Sequence, residues 1–227
     1  MKTLGIIGGV SPASTAIYYR AINDAVNARV GGHNSARIIL NSLNFADVQA
    51  LQAAEDWDAA DAFMADAATV LNRAGVDVAL LACNTMHRCA DAIESALNAP
   101  FLHISDATRA ALDSDQRARP ALLGTMTTMT ERFIADRLGD GVVFPDAEQR
   151  DIVDRIIFEE LCSNVVRDDS RFAYLGVIEE MKARGADSVI FGCTEIGMLV
   201  PVEQSPLPVY DTAHLHVAAA VDAVLAD

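Results

Sequence analysis

Two stretches decide the fold: Leu71-Asn72-Arg73-Ala74-Gly75-Val76-Asp77-Val78-Ala79-Leu80-Leu81-Ala82-Cys83 and Met181-Lys182-Ala183-Arg184-Gly185-Ala186-Asp187-Ser188-Val189-Ile190-Phe191-Gly192-Cys193. They align without a gap at a constant offset of 110 (193 − 83, and 185 − 75), with Gly, Asp and Cys in register. Each reads as a helix closed by Gly, the residue best suited to a left-handed C-cap. A short apolar run of strand length follows, and Cys stands at its carboxyl end. Self-similarity of this kind marks an internal duplication.

The likeness extends outward. Leu4-Gly5-Ile6-Ile7-Gly8-Gly9 resembles Ala121-Leu122-Leu123-Gly124-Thr125, an apolar strand opening onto a small-residue loop. After each Cys segment, a strand preceded by proline reaches an aspartate: Pro100 to Asp106, and Pro208 to Asp211. Helical patterns cover Ser14–Val30, Trp57–Ala74, Met86–Leu97, Met129–Leu138, Asp146–Cys162, Ser170–Arg184 and His214–Leu225. Alternating strands and helices imply parallel sheets covered on both faces. The expected architecture is α/β, with two similar doubly wound domains related by pseudo-twofold symmetry. The first spans 1–106 and the second 107–209, with the polar stretch 113–117 at the junction. The helix within 210–227 returns to the first domain.

Composition narrows the function. A hydrophobic share of 52% is ample for packed cores, whereas a net charge of −15 without a basic run disfavours nucleic acid and anionic membranes. No apolar stretch is long enough for a membrane span, and the start of the chain lacks a signal-peptide pattern. Cys83, Cys89, Cys162 and Cys193 show no disulfide-framework spacing, so they read as free thiols of a cytoplasmic protein. The two lysines, Lys2 and Lys182, are misplaced for a pyridoxal Schiff base. Nucleotide motifs are lacking, and Cys83 with His87 has no third ligand for a metal. The expectation is therefore no cofactor and no metal.

Ligands of open α/β sheets bind beyond the carboxyl ends of the strands, where Cys83 and Cys193 both stand. Asn84-Thr85 and Thr194-Glu195 follow them and are able to cap helices, and a helix start lowers a thiol pKa. Two cysteines facing each other across a domain cleft suit a planar carbanion: one removes the Cα proton and the other returns a proton to the opposite face. Such a pair shares its protons and titrates as a unit. The plainer alternative is that a strand-end cysteine is a small apolar filler. Cys89 and Cys162, lacking the repeat context, are assigned to packing.

The segments Gly8-Gly9-Val10-Ser11, Cys83-Asn84-Thr85-Met86-His87, Gly124-Thr125-Met126-Thr127-Thr128 and Gly192-Cys193-Thr194-Glu195 resemble, in order and spacing, those of the aspartate/glutamate racemase family. The resemblance covers essentially the whole chain. It implies a cofactor-independent amino-acid racemase, commonly a homodimer, with Cys83 and Cys193 as the acid/base pair in a cleft between domains. It further implies that Ser11, Asn84, Thr85, Thr125, Thr128 and Thr194 hold the substrate α-carboxylate and α-amino groups. Each of these hydroxyls is equally readable as a cap or turn former. Glu195 stands where cell-wall glutamate racemases have histidine, which places the chain nearer the aspartate-racemase branch. His87, one turn past Cys83, is readable as a tuner of the thiol or as a structural histidine.

Aspartate or glutamate is the leading substrate, yet Val48 and Cys162 occupy the positions where the resemblance expects basic residues. Arg20, Arg37 or His33 would then read the distal carboxylate, or the pocket accepts varied amino acids. Rival readings are a Cys-dependent isomerase or decarboxylase on a related scaffold, and a protein that binds an amino acid without chemistry.

Overall fold

A computed structural model describes residues 1–226 of the chain. In order, the elements are β1 (Thr3–Gly8), α1 (Pro12–Val30), β2 (Arg37–Ser42), α2 (Phe45–Ala53), α3 (Trp57–Ala74), β3 (Val78–Leu81), a 3-10 turn (Thr85–Cys89), α4 (Ala90–Ala96) and β4 (Phe101–Leu102). Then come α5 (Ile104–Ser114), β5 (Pro120–Gly124), α6 (Met126–Thr130), α7 (Ala135–Leu138), α8 (Ala147–Glu159), a 3-10 turn (Leu161–Ser163) and α9 (Asp168–Ala183). The chain closes with β6 (Ser188–Gly192), α10 (Ile196–Leu199), a 3-10 turn (Val202–Gln204), β7 (Val209–Asp211) and α11 (Thr212–Leu225). Two compact units result: Met1–Ile104 with the segment from His216 onward, and Ser105–Leu215.

The first unit carries a parallel sheet in the order β2-β1-β3-β4, and the second a parallel sheet in the order β5-β6-β7. Hence β1, β3 and β4 correspond to β5, β6 and β7, as the duplicated sequence requires. In the first core, Ile7, Leu81, Met64, Leu71 and Ile93 are fully buried; in the second, Leu123, Phe191, Val153, Tyr174 and Ile178 are. Leucine, isoleucine, valine and alanine do most of the filling.

The repeated Gly and Asp have a local reason. Gly75 closes α3 at φ +69°, and Gly185 follows α9 at φ +89°, a region open to glycine without a Cβ penalty. The next backbone N–H groups return to the helices, Val76 to Leu71 and Ala186 to Met181. Asp77 and Asp187 then tie each new strand to the start of its neighbour: their N–H groups bond Thr3 O at 2.9 Å and Arg119 O at 3.0 Å.

Trp57–Ala74 forms the helix expected, but three other expected helices break. Met86–Leu97 becomes the 3-10 turn Thr85–Cys89 followed by α4. Met129–Leu138 becomes α6 and α7, because the Thr130 hydroxyl bonds the Met126 carbonyl at 2.8 Å and Glu131 is extended. Asp146 is the N-cap of α8 in a reciprocal capping box with Gln149, and α8 stops before Leu161–Ser163. Three helices lie outside the expected helical ranges: α2, α5 and the short α10. The polar stretch 113–117 closes α5 instead of forming a separate linker.

Candidate functional site

Each unit gathers its candidate residues at the carboxyl end of its sheet. In the first, Ser11 follows β1, while Cys83, Asn84 and Thr85 follow β3. Ile7 lies opposite Leu81 in the ladder, so these loops start side by side. The Ser14 hydroxyl bonds the Ala82 carbonyl at 3.3 Å, and the Ala82 N–H bonds the Ile7 carbonyl at 2.9 Å, fixing the approach to Cys83. Ser11 is the N-cap of α1, its hydroxyl accepting the Ser14 N–H at 3.3 Å. Gly9 makes the loop possible: at φ +83°, a Cβ would lie 2.0 Å from the Leu43 carbonyl oxygen.

In the second unit, Gly124 and Gly192 are partnered at the ends of β5 and β6, and a Cβ on either would come within 3.0 Å of a backbone oxygen. Thr125 and Cys193 directly follow them, which sets these residues on neighbouring strand ends. Thr125 caps α6; its hydroxyl lies 3.4 Å from the Thr128 N–H and 3.0 Å from the Thr128 hydroxyl. The Met126 N–H, the other donor at this helix start, goes to Asp154 at 2.6 Å. Asn84, Thr85, Thr125, Thr128 and Thr194 are all buried, whereas Cys83 is half-buried.

The two cysteines have different surroundings. Cys193 is 9% exposed, and its thiol donates to Glu195 Oε2 at 3.1 Å; Glu195 is itself only 4% exposed. Burial raises the Cys193 pKa well above the usual thiol range, and the charge of Glu195 and the S–H bond to it push the same way. This corrects the expectation that a capped helix start lowers the thiol. Glu195 precedes α10 without a side-chain cap bond, and Asn84 precedes its 3-10 turn without one. Glu195 is spent on the sulfur instead of on the helix. At neutral pH Cys193 therefore rests as a thiol.

His87 acts on Cys83 through the backbone. Its Nδ1 donates to the Cys83 carbonyl at 2.6 Å, and its Nε2 accepts the Ile104 N–H at 3.2 Å. These partners require a neutral ring with the proton on Nδ1. Two more buried histidines pack edge-on around it, His103 at 4.5 Å and His216 at 5.9 Å between ring centroids. His216 donates from Nε2 to the Leu102 carbonyl at 2.8 Å, so its Nδ1 accepts the Tyr18 hydroxyl at 3.0 Å. Sequence reasoning weighed His87 but missed His216 and Tyr18, which lie 198 positions apart.

Cys89 and Cys162 lie in packed surroundings. Burial, then Asp61, raises the Cys89 thiol, and Cys162 is pushed up to about 11 by burial, Glu195 and Asp154. Val48 is fully buried among apolar side chains, with Cys83 packed at the edge of the same cluster. Among the described residues no group of three or more His, Cys, Asp or Glu is placed to hold a metal ion. Among them, too, no helix is long and apolar enough to cross a membrane.

Comparison with known proteins adds to this geometry. Residues 7–220 match the sequence model of the Asp/Glu/Hydantoin racemase family. The chain is 26% identical over 219 residues to a protein of Bacillus subtilis (strain 168) described as a broad specificity amino-acid racemase, RacX, covering 92% of each chain. A Yersinia pestis structure, solved as a candidate Asp/Glu racemase, is 44% identical with a TM-score of 0.93 and full coverage of both chains. An aspartate racemase homologue from Pyrococcus horikoshii OT3 is 30% identical with a TM-score of 0.85, covering 99% of each chain.

Proposed function

Because the chain belongs to the Asp/Glu/hydantoin racemase family, we propose that it is a cofactor-independent amino-acid racemase in which Cys83 and Cys193 exchange the Cα proton. One thiolate removes the proton from one face of the substrate, leaving a planar carbanion. The other thiol protonates the opposite face, and the two sulfurs have then traded roles. The observation that carries the reading is that each unit places one cysteine just past the carboxyl end of an equivalent strand, β3 and β6. The reaction requires both sulfurs to reach the Cα of one substrate.

Ser11, Asn84, Thr85, Thr125, Thr128 and Thr194 are the groups proposed to hold the α-carboxylate and α-ammonium. Their hydroxyl, amide and adjoining backbone N–H groups match those two functions. A homodimer and a cytoplasmic location belong to the same proposal.

For the substrate side chain, a broad or neutral class is favoured over a second carboxylate. Glu195 and Asp154 act on Cys162, and Val48 presents only aliphatic surface, so both positions expected to be basic are apolar or face negative charge. An acidic side chain entering there would meet repulsion.

The test is incubation of the purified protein with single L- and D-amino acids in D₂O without pyridoxal. Asp, Glu, Ala, Met and homoserine form the panel, read by chiral chromatography and mass spectrometry. Inversion with deuterium at Cα, lost in Cys83→Ala and in Cys193→Ala, is the expected result. Full activity in either variant refutes the two-cysteine mechanism. Turnover confined to Asp and Glu refutes the side-chain assignment.

A further inference from the structure

We propose that the second unit carries a separate binding site for a free α-amino acid, in a cavity at the amino end of its sheet, with the carboxylate on Arg117 and the ammonium at Asp140. The inference concerns binding alone, so it stands whether or not the cysteines turn a substrate over. The cavity holds about 400 Å³, within the range of small-molecule sites. Pro120, the first residue of β5, lines it, whereas Thr125 follows the last, Gly124. About 13 Å of strand therefore separates the cavity from the loops that hold Thr125 and Cys193.

The walls are pinned. Arg109 donates from Nε to Asp113 at 2.7 Å and from Nη1 to the Leu138 carbonyl at 2.6 Å. Gly139, at φ +104°, lets the 138–141 loop approach it: a Cβ there would lie 2.5 Å from Arg109 Nη1. A Cβ on Gly141 would lie 1.9 Å from the Ala118 carbonyl oxygen.

Within these walls Arg117 is the cation with bonding capacity to spare. Its Nη1 reaches the Asp187 carbonyl only at 3.4 Å, and its guanidinium lies against the Tyr210 hydroxyl, which donates to Asp115 at 2.6 Å. Its Nε is buried with no hydrogen-bond partner among the described residues. A buried N–H left that way is costly, and a carboxylate accepting two parallel N–H bonds from one guanidinium relieves the cost. In a chain with 17 basic residues against 32 acidic, two arginines lining one cavity favour an anion there.

Asp113 is already spent on Arg109, whereas Asp140 stands exposed at the rim. A lone anion such as phosphate meets the Asp140 carboxylate as a repulsive neighbour; an ammonium on the same ligand makes it a partner. Leu138 and Pro120 add apolar surface for a short side chain. A cation inside, a carboxylate at the rim and an aliphatic wall together match an α-amino acid.

The test follows the Arg117 Nε–H cross-peak in the NMR spectrum of the isotope-labelled full-length protein, assigned by its loss in Arg117→Gln. The probes are glycine, acetate, methylamine and inorganic phosphate. Glycine should move the peak with a saturating, millimolar midpoint, and methylamine should leave it in place. Acetate, lacking the ammonium, should need about threefold or more higher concentration. Asp140→Asn should raise the glycine midpoint by about the same factor and erase the difference between glycine and acetate. Backbone peaks of Thr125 and Thr194 report any binding beside the cysteines, and Asp140→Asn should leave their midpoints unchanged.

An Arg117 peak that no probe moves overturns the site. Phosphate binding more tightly than glycine, or acetate matching glycine in the wild type, overturns the amino-acid assignment. So does a glycine midpoint at Arg117 that coincides with those of Thr125 and Thr194 and ignores Asp140→Asn, since the binding is then at the cysteine loops alone.

Discussion

Asp77 and Asp187 occupy equivalent places in the two units: Asp77 accepts the backbone N–H of Thr3 at 2.6 Å, and Asp187 accepts that of Arg119 at 2.9 Å. Each carboxylate fastens the first strand of its sheet to the strand that carries the cysteine. Asp187 also accepts the Ala118 N–H and the Ser188 hydroxyl. Burial alone would raise its pKa; those hydrogen bonds and Arg117 outweigh burial and lower it. The stability it contributes is thus present above the usual carboxylate pKa and is lost as pH falls through the lowered value. Asp187→Ala should cost about 1–3 kcal/mol at pH 7, read from the urea midpoint, and the cost should shrink in strong acid.

Gly9 tolerates no side chain. Gly9→Ala places a methyl against the Leu43 carbonyl at a positive φ, so the loop leading to Ser11 has to move. A loss of about 2 kcal/mol or more in stability is expected by thermal or urea unfolding. Activity should fall beyond what the stability loss explains. A fully active, equally stable Gly9→Ala protein would contradict the close approach.

His216 gives the fold an acid limit. Burial pushes its pKa down from 6.5 to about 4, against the hydrogen bond to the Leu102 carbonyl. Below pH 6.5 the unfolded chain protonates this ring, whereas the folded chain resists until about 4. Stability should therefore fall across that window by on the order of 3 kcal/mol. Urea midpoints measured from pH 7.5 down to 4 should slope downward in the wild type and flatten in His216→Gln.

His87 joins the Cys83 carbonyl to the Ile104 N–H, so His87→Phe leaves both groups without the ring that pairs them. A cost of about 1–3 kcal/mol is expected in the urea midpoint. In the racemisation assay kcat should fall, since the loop that aims the Cys83 sulfur loses its anchor. Unchanged kcat would show that Cys83 is positioned without this bridge.

Particular residues explain how far the sequence could be read. The pair Gly75 and Gly185, with Asp77 and Asp187, was legible because it does local work that repeats at a fixed spacing: closing a helix and starting a strand. Cys83 and Cys193 were legible because strand ends are countable from there. The break between α6 and α7 was hidden, because threonine side chains competing for backbone carbonyls look helical in a hydrophobic pattern. The helix α5 was hidden because its polar composition reads as a junction.

Sequence periodicity alone determined the class of fold, the duplication and the two cysteines, since these depend on short-range hydrogen bonding and on which faces must be buried. Tertiary structure alone decided what each sulfur meets. The side chain of Glu195 could equally well have capped a helix, and only the turn of the chain after β6 aims it at Cys193. Likewise Tyr18, His87 and His216 become one buried network only because α11 returns to the first sheet. Protonation follows burial and neighbours, and neighbours distant in sequence are set by packing.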